Sequence, residues 1–262
     1  MLLAERHQWI LNQLALKEVL PAEELTTACS VTLETIRKDL IALEKTGRLQ
    51  RTRGGARRLP SQRFDLPLPE REALNRALKA PIARAACGLI RPRDTVFLDA
   101  SSTVLTMTEF FPPQEATVIT NASHVVVALG PYEKIDLVCT GGDYERRSRS
   151  YVGPLAEEAV QRYFLQWLFI GVDGIDSRRG ASEVNPGQAR LKERIIPVAE
   201  RVCVLADHTK LERKSAFFFA RPRQIHILIT DTAADRSVLN SFQEQGIEVV
   251  IAKDEAPAPP AD

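Results

Sequence analysis

Five apolar runs end in residues that could hold a small polar molecule. TVFLDASST (95–103) closes on Asp99, Ser101, Ser102 and Thr103, TVITN (117–121) on Thr120 and Asn121, and LVCTGG (137–142) on Gly141 and Gly142. LFIGVDGID (168–176) presents Asp173, and VCVLADHTK (202–210) presents Asp207 and Lys210. A phosphate dianion needs oriented N–H donors and at least one cation. The backbone of Ser101–Thr103, feeding a helix N-terminus, can supply the donors, and Lys192 or Lys210 the charge. Asp99 would then accept from a ligand hydroxyl, and an analogue lacking that hydroxyl would leave a carboxylate unpaired. Plainer readings exist for each loop. Asp99 could cap the following helix, Gly141-Gly142 could be a turn, and Asp207-His208 a strand terminus. Arg146, Arg147 and Arg149 could be a solvated face or a subunit contact. The convergence of several polar strand ends favours a binding site more than any one residue does.

A second chemistry gathers near the N-terminus. Thr35, Arg37 and Lys38 fall on the exposed face of one helical pattern, and six arginines follow between Arg48 and Arg63. No acidic residue occurs from Lys45 through Phe64, although residues 1–58 as a whole carry ten Lys/Arg against seven Asp/Glu. Such a basic surface neutralises phosphates, while helix side chains reach base edges in the major groove. The plainer alternative is a solvated charged helix in a small helical cap. The net charge of +1 says nothing about nucleic acid, so the distribution decides.

Other chemistries find little support. The four cysteines (Cys29, Cys87, Cys139, Cys203) and four histidines (His7, His124, His208, His226) are scattered, with no C-x-x-C pair. Zinc spacing and a disulfide framework are both missing, so no metal or cofactor is expected and the thiols read as reduced core or near-core residues. Met1–Ile10 carries Glu5, Arg6 and His7 in place of a leader's apolar run, and no stretch is apolar enough to span a membrane. A cytoplasmic protein is the expectation.

These residues need elements to position them. Leu3, Ile10, Leu14 and Leu16 suit a first helix. Pro21 opens a second, with Leu25 and Ala28 on its apolar face. After a break at Cys29-Ser30-Val31, Thr32 N-caps a third helix with Ile36, Leu40 and Leu43 on one face, ended by Gly47. A hairpin closing near Gly54-Gly55 would form a wing, which makes 1–58 a winged helix-turn-helix DNA-binding domain. Residues 59–72, with Pro60, Pro67 and Pro69, read as an extended linker. Over 73–253, apolar strands alternate with helical stretches, the pattern of a parallel α/β domain. The Pro/Ala-rich end, 254–262, is expected to be disordered.

Taken together, Arg6, Ile10, Leu14, Thr32-x-x-Thr35-Ile36-Arg37-Lys38-Asp39-Leu40, Leu43, Gly47, Arg51 and Gly54-Gly55-Ala56 resemble the DeoR-type helix-turn-helix signature. The resemblance continues to about residue 251 and implies a larger α/β domain like the ribose-5-phosphate isomerase and CoA transferase folds. It implies DNA contacts from Thr32, Thr35, Arg37, Lys38, Arg51, Arg53, Gly54 and Gly55. It also implies an effector site at the strand ends named above, with Asn185, Lys192 and the Asp207–Lys210 run matching. Two departures stand out: Ser101 where glycine is usual, narrowing the backbone approach, and Gln188 where many members have glutamate. The implied protein is a repressor of carbohydrate or polyol utilisation that binds double-stranded operator DNA. It would be modulated by a phosphorylated sugar or polyol, and act as a homo-oligomer, dimer or tetramer, on repeated half-sites. The rival is a sugar-phosphate isomerase-like enzyme. Asp173 resembles such an enzyme's catalytic aspartate loop, but no Lys-Gly-Gly-Gly-Gly run follows it and Gln188 removes a carboxylate, so the expectation is a non-enzyme.

Overall fold

A computed structural model describes residues 2–17, 19–45, 48–57 and 67–253. Gly47, Pro60 and the Pro/Ala-rich end lie outside them. The chain divides into two compact units, Met1–Phe64 and Asp65–Asp262.

In the first unit, α1 (Leu3–Leu16), β1 (Val19–Pro21), α2 (Ala22–Cys29) and α3 (Leu33–Lys45) precede β2 (Gln50–Thr52) and β3 (Gly55–Arg57). Ile10, Leu14, Leu25, Cys29, Ile36, Leu40 and Leu43 form one core. Two expected core positions differ. Leu3 is exposed, and Ala28 is exposed while Cys29, four residues after Leu25, fills the apolar face. The reason is the helical period: i and i+4 share a face more closely than i and i+3 do in so short a helix. Ser30 adopts φ 54°, which turns the chain from α2 into α3. Strands β2 and β3 pair antiparallel, and β1, absent from the sequence reading, pairs with β3 to close a three-stranded sheet. A Cβ on Gly55 would lie 2.0 Å from the Leu20 carbonyl oxygen, so β1 can approach only because residue 55 has no side chain.

The second unit opens with α4 (Leu68–Ala73) and α5 (Arg76–Cys87), then β4 (Thr95–Leu98), α6 (Ser102–Met107), β5 (Ala116–Thr120), α7 (Ser123–Leu129) and β6 (Ile135–Cys139). A hairpin, β7 (Asp143–Glu145) and β8 (Ser150–Val152), leads to α8 (Pro154–Val160), β9 (Leu165–Gly171), β10 (Gly174–Asp176), β11 (Gly180–Glu183) and α9 (Pro186–Ile195). The chain ends with β12 (Ala199–Leu205), β13 (Phe217–Ala220), β14 (Ile227–Asp231), α10 (Arg236–Gln243) and β15 (Glu248–Ala252). The expected linker through residue 72 is therefore too long. Leu68 is fully buried, with Pro67 as N-cap and Pro69 in the first turn, where proline's missing N–H costs the helix nothing. Of the thiols expected in or near the core, Cys29, Cys87 and Cys203 are buried and Cys139 is exposed.

Seven parallel strands lie in the order β15-β14-β12-β9-β4-β5-β6, flanked by the small antiparallel sheet β10-β11-β13. Successive residues of β9 feed opposite faces. Leu168 and Ile170 pack with α8, α9 and α10, while Trp167 and Phe169 pack with α5, α6 and α7. Burial on both faces explains why these strands read as continuous apolar runs. From β4 the chain steps outward to β5 and β6, then returns to β9 and steps the other way. The strand order thus reverses between β4 and β9, and ligands of open α/β sheets collect outside the carboxyl ends at such a point. No helix among the described residues is long and apolar enough to cross a membrane.

Candidate functional sites

The first unit presents a basic surface on α3 and its wing. Thr32 caps α3, its hydroxyl accepting from the Thr35 N–H at 3.2 Å and lying 2.9 Å from the Thr35 hydroxyl. Asp39 fixes α3 to α1. It lies 3% exposed and accepts from Arg6 Nε at 2.5 Å and Nη2 at 3.2 Å, with His7 Nε2 3.1 Å away. The Asp39 hydrogen bond raises the guanidinium's pKa against the cost of its burial. Arg37 is exposed, and no side-chain partner is found for it or Arg53 among the described residues; Lys38 sits a loose 3.9 Å from Glu34. Arg51 differs from expectation: its Nε donates to Glu44 at 2.6 Å and its N–H at 2.9 Å, which clamps the wing to α3 and lowers the Glu44 carboxyl. Gly55 is likewise occupied by the close approach of β1. Gly54, beside Arg53 in the turn, has open space around it.

In the second unit the strand ends meet around the switch point, though not in the roles their sequence suggests. Asp99, 1% exposed, accepts from the Ser101 N–H at 2.9 Å, the Gly171 N–H at 3.1 Å and the Lys192 ammonium at 2.9 Å. Lys192 also donates to the Gly171 carbonyl at 2.7 Å and to Glu183. An ammonium has three donors, and all three are spent. Lys192 and Asp99 therefore brace β4 against β9 and are engaged with the frame, where a phosphate-binding lysine and a hydroxyl-reading aspartate were expected. Despite its burial, Lys192 is held more basic than usual by Asp99 and Glu183.

Glu183 is the residue the sequence reading missed. Burial, and then the neighbouring Asp173, push its carboxyl well above the usual range. Glu183 and Asp173 are hydrogen-bonded to each other, and Asp173 also accepts from the Val184 N–H at 2.9 Å. Burial opposes ionisation of Asp173, but Glu183, Lys210, the Val184 N–H and Arg71 together bring it down to about 2. The signal available in the sequence was weak, since Glu183 lies in GASEVNPGQARLK among residues of turn-forming type.

Several expected site residues serve the frame. The Ser101 hydroxyl caps α6 through the Val104 N–H at 3.2 Å and packs against Gly171, where an added Cβ would come within 2.4 Å. Thr120 donates to the Leu98 carbonyl at 2.7 Å and accepts from the Ala122 N–H at 3.0 Å. Gly141 and Gly142 turn the chain at φ 64° and 114°, and an added Cβ at Gly142 would lie 2.6 Å from the Val152 carbonyl oxygen. Asp207 accepts from the Thr209 N–H at 3.0 Å and Asn75 Nδ2 at 3.2 Å. Gln188 joins the loops, donating to Ser150 at 2.5 Å and accepting from Asn121 at 3.4 Å.

What remains uncommitted is small. Ser102 and Thr103 stand in the first turn of α6, and no side-chain partner is found for Lys210 among the described residues. Asn121 Oδ1, Arg71 Nε and both ring nitrogens of His124 are buried without a hydrogen-bond partner. Burial, followed by the charge of Arg71, pushes His124 down to about 4, so its ring is neutral at pH 7. A groove of about 600 Å³ elsewhere, lined by Arg178, Arg179, Arg221 and Arg223 among others, shares none of these residues. It holds no buried polar atom lacking a partner.

A winged helix-turn-helix with exposed arginines, joined to a doubly wound unit with a polar cluster at its switch point, defines a DNA-binding regulator with a sensor-type second domain. The chain belongs to the DeoR family of transcriptional regulators: residues 6–62 match the DeoR-like helix-turn-helix domain and 74–232 the DeoR C terminal sensor domain. It is 34% identical over 249 residues to an uncharacterized HTH-type transcriptional regulator, YulB, of Bacillus subtilis, covering 95% of this chain and 96% of that one. It is also 34% identical to a putative aga operon transcriptional repressor of Escherichia coli O157:H7, covering 95% and 93%. The HTH-type transcriptional repressor GlcR of Bacillus subtilis is 31% identical, covering 95% and 96%. Among solved structures, ribose 5-phosphate isomerase A of Methanocaldococcus jannaschii aligns at TM-score 0.39 and 18% identity, over 52% of this chain and 54% of that one. So distant a likeness says nothing of chemistry.

Proposed function

We propose that this regulator represses a carbohydrate- or polyol-utilisation operon and is modulated by a phosphorylated sugar or polyol bound at the carboxyl edge of the second unit. The observation that carries this reading is the group of uncommitted polar residues at the switch point, Ser102, Thr103, Asn121 Oδ1 and Lys210, with the Asp173 carboxylate beside them, in a chain whose other unit binds DNA. Lys210 supplies the cation for a phosphate, Ser102 and Thr103 the hydroxyls, and Asp173 an acceptor for a ligand hydroxyl. The relatives named as repressors support the sign of control. Binding is favoured over catalysis because Asp173, held near 2, is a weak base at neutral pH, and Lys192 has no donor left to give. One winged domain buries too little surface for tight, specific binding, so the chain acts as a homo-oligomer on repeated half-sites.

The test is a thermal-shift screen of phosphorylated sugars and polyols, followed by calorimetry on the compound that binds. Lys210→Ala should weaken that compound about 10- to 100-fold, the worth of one charge-assisted hydrogen bond. A variant that binds and responds as the wild type does would put the pocket elsewhere.

On the DNA side, Arg37→Ala should cost about 1–3 kcal/mol if Arg37 reads a guanine edge, and should relax specificity at one position. Arg53→Ala should instead weaken all sequences alike and flatten the salt dependence. Gel-shift titrations at two salt concentrations separate the two, and operator binding untouched by either change would end this assignment.

A further inference from the structure

Helix α4 is the first described element after residues 58–66, the stretch that joins the two units. It is tied across the carboxyl edge at both ends. At its start the Leu68 N–H donates to the Arg147 carbonyl at 2.8 Å, on the β7–β8 hairpin. That hairpin's Arg149 carbonyl accepts from the Ser123 N–H at 3.0 Å and its hydroxyl at 2.8 Å, at the head of α7. Just beyond the far end of α4, Asn75 reaches Asp207 at 3.2 Å, beside Lys210. Beneath, α4 packs on α6, with Leu68 fully buried. The helix thus roofs the uncommitted polar cluster.

Arg71 sits on that roof. Its Nε is buried without a partner, although a guanidinium offers five donors in a rigid fork. The buried Lys79 ammonium donates to the Arg71 carbonyl and holds the helix in place. Lys79 titrates at about 8, chiefly through burial, with Asp207 opposing and Lys210 and Arg71 adding to the shift. Three cations, Arg71, Lys79 and Lys210, therefore share one region. Asn121 Oδ1, on a side chain 1% exposed, and both His124 nitrogens lack partners nearby. Buried polar atoms are rarely left unpaired, and several drawn from different elements to one place call for a polar ligand.

We propose that Arg71 is a ligand-contacting residue that closes with Lys210 around the anionic group of the bound molecule, so that the ligand fastens α4 to the sheet. This rests on the sensor-site reading above and adds to it the closing residue and the coupling element. A helix of six residues is too short to persist without tertiary contacts, so a ligand bridging Arg71 to Lys210 biases its docked state. In sequence α4 is the first described element after the DNA-binding unit, and control of that unit extends only as far as the ligand prefers one state of α4 over the other.

The experiment uses the full chain and inorganic phosphate as probe, with chloride at equal ionic strength as reference. Melting of the second unit is followed by Trp167 fluorescence in a Trp9→Phe background, and α4 by hydrogen exchange of the amides of Leu68 and Glu70–Ala73. Phosphate should raise the melting temperature of the wild type and slow exchange in α4. Arg71→Gln should weaken the phosphate response about tenfold or more, with Arg71→Lys in between. Arg76→Ala, at an exposed arginine 3.4 Å from Glu109, should match the wild type. Wild-type phosphate affinity in Arg71→Gln, or phosphate binding that leaves α4 exchange unchanged, overturns the proposal. A wild type that responds to a sugar phosphate of the screen while its Arg71 variants respond equally overturns the role of Arg71 alone. A wild type indifferent to phosphate and to every compound of the screen overturns the sensor reading with it.

Discussion

Lys192→Ala is expected to destabilise the second unit by about 3–5 kcal/mol, the scale for stripping one partner from a buried charge network. The lysine is 3% exposed and donates to Asp99, Glu183 and the Gly171 carbonyl. Truncation strands Asp99 in the interior and removes the donor that lets it hold the β4–α6 loop against β9. A large share of the cost is that stranded charge, so Lys192→Met combined with Asp99→Asn should be less destabilised than the sum of the two single changes. Each unit contains one of the two tryptophans, Trp9 and Trp167. Denaturant unfolding of a Trp9→Phe background therefore reports on the second unit alone. Stability within about 1 kcal/mol of the parent would mean that solvent reaches the site and screens these charges, contrary to the burial seen here.

Asp39→Ala should produce the largest loss in the first unit, about 2–3 kcal/mol. That is below the full range for buried pairs because the small helical unit covers Arg6 and Asp39 with little protein. The substitution leaves the Arg6 guanidinium without its two carboxylate oxygens and cuts the tie between α1 and α3. Because α3 carries Arg37 and Lys38, operator affinity should fall along with stability, although Asp39 faces inward and is 3% exposed. Trp9 fluorescence in a Trp167→Phe background follows the folding, and fluorescence anisotropy with labelled operator follows the binding. Asp39→Asn, which keeps the shape and can still accept one hydrogen bond, should fall between the two. Undiminished operator binding by Asp39→Ala, with the melting of the first unit unchanged, would show that the pair does not position α3.

The helix-turn-helix was legible because its information is local. The spacing of Ile36, Leu40 and Leu43 and the Thr32 cap each act within a turn or two of chain. The sheet was legible for a related reason, since strands buried on both faces must be nearly unbroken apolar runs. The short elements were harder to read. β1 has three residues, and α4 hid behind Pro67 and Pro69, which read as extended chain although both suit a helix start.

By itself the sequence determined the two units, the family and the set of polar strand ends that meet at the switch point. Only the tertiary structure decided what those residues do. A sequence shows that residue 192 is a cation, but whether its three donors are free depends on Asp99, Gly171 and Glu183. These come together because the strand order reverses between β4 and β9. The roles proposed for Lys210 and Arg71 likewise depend on the fold, because the two lie 139 positions apart in the chain. Local pattern carries hydrophobic period and capping, whereas the pairing of buried charges is fixed only when distant segments exclude water together.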